Sequence, residues 1–78
     1  MINWKTFKEL IGNGKRKYIS RAGVNQREKF HFVSYNKETK DVTLMNIRNI
    51  RTLTVLPLNY FIEDFRLDRI AEDEKPLF

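Results

Sequence analysis

Three β-rich runs, KFHFVSY (29–35), VTLMNI (42–47) and RTLTVL (51–56), follow one another with only a few residues between them. A parallel neighbour needs a crossover of about a dozen residues or more, so connections this short force antiparallel pairing. In the first run Phe30, Phe32 and Ser34 alternate with His31, Val33 and Tyr35. Both sets are largely apolar, which predicts a central strand covered on both faces. NKETKD (36–41) is a polar loop, and Arg48-Asn49 divides the second run from the third.

The flanks carry a longer period. Asn3 is a good helix N-cap, because its side chain accepts a backbone N–H of the first turn. Trp4, Phe7 and Ile11 then share one face, with Leu10 at its margin, and Gly12 and Gly14 supply a stop. This predicts a short amphipathic helix over 4–11. From Lys15 the period changes. Lys17 to Arg21 suit a strand, and RAGVNQRE (21–28) is rich in turn formers, with Gly23 and Asn25 as pivots. After Pro57, the spacing of Leu58, Phe61, Ile62 and Phe65 is i, i+3, i+4, i+7, an apolar stripe that predicts a helix near 58–65. FRLDRI (65–70) can extend that helix or form a last short strand.

The expected fold is α+β: about four short antiparallel strands in an SH3/Sm-like β-barrel or bent sheet, with an N-terminal helix and a short C-terminal helix. One small domain over 1–70, followed by an acidic, flexible tail over 71–78, accounts for the 78 residues. Absence of cysteine removes disulfides and thiolate metal sites and fits a reducing cytoplasm. No apolar run approaches the roughly 20 residues of a membrane helix, and Met1-Ile2-Asn3-Trp4-Lys5 does not open like a signal peptide.

The net charge of +5 is unevenly spread: +6 over residues 1–29, +2 over 30–62 and −3 over 63–78. A basic front fits a polyanionic partner; the plainer alternative is an acidic tail folded over its own basic patch. Enzymatic chemistry finds little support. GNGK (12–15) resembles a phosphate loop, but that motif needs glycine at position 9 and Ser or Thr at 16, where Glu9 and Arg16 stand. His31 has no Cys or clear Ser–Asp partner near it in sequence, so a structural role is the simpler reading. Glu63 and Asp64 are adjacent and diverge by about 100° on a helix. No cofactor or metal is expected.

The chain also resembles a known family. FKELIGNGKRKYISRAG (7–23) looks like the opening of WYL domains, a short helix, a Gly-basic break and a strand ending near Ser/Ala-x-Gly. FHFVSYNKETKDVTLMNIRNIRTLTVL (30–56) is similar to that family's strand-loop-strand core. The name-giving Trp-Tyr-Leu is replaced by Phe30-His31-Phe32, and both arginines of the family's Phe-Arg-Leu-Asp-Arg-Ile are replaced in the aligned Met45–Ile50. The resemblance implies an Sm-like, SH3-type barrel, and a looser one links the chain to tiny SH3-like phage proteins.

The expected function is a small basic nucleic-acid-binding accessory protein of phage or mobile-element type, taking RNA or single-stranded DNA before duplex. Lys15, Arg16, Lys17, Arg21, Arg27 and Lys29 are the candidates for phosphate contacts, and Tyr18 and Tyr35 for base stacking. His31 is a further stacking surface, and Gly12 and Gly14 leave the backbone open to close approach. The plainer reading of such cations is an edge strand guarded against aggregation. A competing expectation is an inhibitor that docks on a host defence enzyme or toxin through Trp4, Tyr60 and Leu77-Phe78.

Overall fold

The computed structural model of the protein describes residues 2–12, 14–23, 28–49 and 51–72. They form an α+β fold in the order α1 (Trp4–Gly12), β1 (Arg16–Arg21), β2 (Lys29–Asn36), β3 (Asp41–Asn46), β4 (Leu53–Pro57), α2 (Leu58–Asp64) and β5 (Phe65–Ala71). The strands make one antiparallel sheet in the order β4-β3-β2-β1-β5, with β2 at its centre. Among the described residues no pairing joins β4 to β5. No helix among them is long and apolar enough to cross a membrane.

The sheet is one strand larger than expected because FRLDRI lies in β5. Phe65 and Leu67 alternate with Arg66 and Asp68, and that segment pairs with β1 from Arg21↔Phe65 to Arg16↔Ala71. Its last residue, Ala71, is buried, so the sheet extends one residue into the segment expected as tail. Residues 73–78 of that segment lie outside the described residues.

Both helices cover the same face. Asn3 Oδ1 accepts the backbone N–H of Thr6 at 2.8 Å, the expected cap on α1. α1 buries Phe7 and Leu10, while Trp4 and Ile11 are exposed. This corrects the expected Trp4–Phe7–Ile11 face. At 3.6 residues per turn Leu10 lies about 60° to one side of Phe7 while Trp4 and Ile11 lie to the other, and the helix seats toward Leu10. α2 follows Pro57 directly and buries Phe61, which stacks on Phe65 with centroids 5.5 Å apart. The core holds Ile2, Phe7, Leu10, Ile19, Phe30, Phe32, Val42, Leu44, Leu56, Phe61 and Phe65.

Strand β2 does not alternate strictly. Its register with β3 slips between Phe32 and Ser34, so Phe32 pairs with Leu44 but Ser34 with Thr43. The extra residue is a β-bulge, which rotates everything beyond it by one step. Tyr35 therefore leaves the face of His31 and packs edge-on against Phe7, centroids 5.0 Å apart, contrary to the expected grouping of His31, Val33 and Tyr35. The β2–β3 turn closes on Asn36, whose Oδ1 accepts the backbone N–H groups of Glu38 and Thr39. Lys40 completes it with φ of 60°.

Candidate nucleic-acid interface

The register of β1 sorts the basic segment into two faces. Tyr18 lies beside His31 and Arg69, and Ser20 beside Lys29 and Arg66. Directly paired residues project to the same side of a sheet, and Arg16 shares the parity of Tyr18 and Ser20. Arg16, Tyr18, Ser20, Lys29, His31, Arg66 and Arg69 thus belong to the face opposite the helices, called here the outer face.

Its centre is an aromatic stack. The Arg69 guanidinium lies over the Tyr18 ring, 4.1 Å from its centroid. The rings of Tyr18 and His31 meet edge to face at 4.8 Å. Tyr18 is half-buried, His31 is buried and Arg69 is exposed. Below the stack the buried Ser20 hydroxyl donates to Asp68 Oδ1 at 2.8 Å and accepts the Arg66 Nε–H at 3.0 Å. The Lys29 ammonium approaches the other Asp68 oxygen at 3.4 Å. Asp68 is carried by the irregularity in the β1–β5 register, which skips from Tyr18↔Arg69 to Ile19↔Leu67.

The remaining expected cations lie elsewhere. Lys17 is on the helix-covered face, its ammonium 5.7 Å from the Phe32 centroid, and burial pulls its pKa below the usual lysine value. Arg21 is on that same face, its guanidinium 5.3 Å from the Phe65 centroid and its Nε 3.4 Å from Glu28. Lys15 precedes β1 and is ion-paired with Glu72. Arg27 lies outside the described residues. Of the expected residues, Arg16, Tyr18 and Lys29 therefore come together, with His31. Lys15, Lys17, Arg21 and Tyr35 do not join them. Gly12 and Gly14 do leave the backbone open, since a Cβ added at either would meet nothing within 4 Å.

Arg66 and Arg69 complete the cluster and were missed in the sequence because they sit in the chain's acidic third. The period-two alternation of Phe65-Arg66-Leu67-Asp68 was the signal that could have found them.

A second feature shares no residue with this cluster. Trp4, 62% exposed, stands at a cleft of about 550 Å³ that Tyr35, Lys40, Pro57 and Leu58 also line. Among the described residues no group of three His, Asp or Glu side chains is spaced to hold a metal ion. No family model, no curated protein and no solved structure matches this chain.

Proposed function

We propose that the protein binds single-stranded nucleic acid, RNA or DNA, on its outer face. One observation carries this reading: the Arg69 guanidinium held over the Tyr18 ring, 4.1 Å from its centroid, on the face that also carries Arg16, Lys29 and Arg66. A planar guanidinium already held by an aromatic ring has lost much of its freedom before a ligand arrives. Unpaired bases stack on such planes, and its N–H fork suits phosphate. Duplex DNA offers no exposed base face to that stack, which is why single strands are favoured. The net charge of +5 adds long-range attraction. Small barrels commonly take single strands across such a face, and a small five-stranded antiparallel fold is consistent with an SH3-like shape.

The test is fluorescence anisotropy with labelled single-stranded RNA and DNA oligomers and a duplex control, over a range of salt. Three to four phosphate contacts give a log K against log salt slope of roughly −2 to −3 on single strands. Arg69→Ala should weaken binding about tenfold, within the range for loss of one stacking contact. Lys15→Ala, at a cation off this face, should leave it nearly unchanged. A flat salt response, or equal affinity for wild type and Arg69→Ala, would reject the reading.

The exposed Trp4 supports a second reading, in which the cleft beside Tyr35, Pro57 and Leu58 docks on a target protein. Exposed tryptophans anchor interfaces. Capture of one protein that survives nuclease treatment and is lost in Trp4→Ala would favour it over the first.

A further inference from the structure

The two ends of the sheet differ in how they are guarded. β5 carries Arg66, Asp68 and Arg69, and its register with β1 is irregular. Charge and bulging are two devices that keep an edge strand from pairing with another chain. β4 has neither. Leu53-Thr54-Val55-Leu56-Pro57 contains no charged residue, and its register with β3 runs unbroken from Asp41↔Pro57 to Met45↔Leu53.

That register also fixes which backbone groups β4 turns outward. In an antiparallel ladder, alternate residues exchange hydrogen bonds with one neighbour and direct their N–H and C=O to the other side. The Asn46 N–H donates to the Thr52 carbonyl, and beyond the strand's other end the Leu58 N–H donates to Lys40. Thr54 and Leu56 share that phase and bond to β3. Leu53 and Val55 point their backbone groups away from the sheet. The same two residues have side chains 53% and 63% exposed, on the face shared with Met45 and Thr43.

We propose that β4 pairs with β4 of a second copy of this chain. An antiparallel pairing about a two-fold axis at Thr54 sets Leu53 opposite Val55 of the second copy, twice. Each such pair exchanges two N–H···O bonds, and its apolar side chains meet on one face. The contact closes on itself and uses up both β4 edges, leaving the charged, irregular β5 strands at the ends. The register selects this occupant, because Leu53 and Val55 stand one residue either side of Thr54 and become each other's partners about the two-fold axis. Two chains of +5 repel, but β4, the only described strand without an ionisable side chain, keeps strand charges out of the contact itself. Pairing β4 with the charged, irregular β5 of another copy has neither advantage. The paired sheets form one continuous sheet.

This inference stands apart from the nucleic-acid reading and is tested without ligand. Sedimentation velocity from micromolar to millimolar protein should show the mass doubling. Amide hydrogen exchange by NMR should slow at Leu53 and Val55 over the same range. Val55→Lys, at a solvent-exposed position, should remain monomeric throughout with an unchanged circular dichroism spectrum, while the neutral β-branched Val55→Thr should still dimerise. A protein that stays monomeric to millimolar concentration overturns the proposal. So does a dimer whose Leu53 and Val55 amides exchange at the same rate at every concentration.

Discussion

Lys17 holds its ammonium over the ring of Phe32 with only 8% of its surface exposed. Burial disfavours the charged form, so its folded-state pKa lies below the ordinary 10.5. Below the folded pKa, Lys17 is charged in both states and its desolvation cost is present in full. Between that value and 10.5 the unfolded chain binds more protons than the folded one, so stability rises with pH. Lys17→Met should therefore flatten the rise of stability with pH in that range, read by thermal melts of both proteins side by side. Ser20 poses the opposite case. Its buried hydroxyl donates to Asp68, and Asp68→Ala should cost about 1–3 kcal/mol in urea unfolding, because that donor loses its partner. That Lys17 faces the core cannot be read from KRKYISR alone. A strand's two faces are fixed by its partners, and Lys17 is drawn inward by the same parity that buries Ile19.

At the scale of elements, local chemistry was legible and register was not. The Asn3 cap forms as its side chain dictates, and Asn3→Ala should cost about 1 kcal/mol, measured as a lower urea midpoint at constant slope. Of the apolar stripe Leu58, Phe61, Ile62 and Phe65, the first three lie in α2 while Phe65 opens β5, and the short loops do force antiparallel strands. The bulge after Phe32 left no mark in KFHFVSYN, because a bulge is settled between two strands rather than within one. Tyr35 accordingly lies against Phe7 instead of on the basic face. The candidate interface was half legible for the same reason. Arg16, Tyr18 and Lys29 were found by counting charge, whereas Arg66 and Arg69 needed β1 and β5 to be recognised as neighbours.

For the molecule as a whole, the stability margin is small. At 78 residues it amounts to about 4–12 kcal/mol on the usual per-residue scale. The Phe61 ring is fully buried and meets Phe7, Phe32 and Phe65. Phe61→Ala should cost about 3–5 kcal/mol, enough to leave a large unfolded fraction at physiological temperature by circular dichroism. The surface is less legible than the core. Trp4 belongs to the apolar stripe of its helix yet stands in solvent, so its fluorescence should be red-shifted and readily quenched by iodide in the free protein. Protection from iodide on adding a candidate target would mark the docking surface of the second reading.

The pairing of β5 with β1 also bears on biosynthesis. Translation is vectorial, and the strand made first in this sheet waits for the one made last, some fifty residues later. A nascent polypeptide arrested before Phe65 lacks both the flank of β1 and the ring that stacks on Phe61, so it should stay open to proteases until residues 65–71 leave the ribosome.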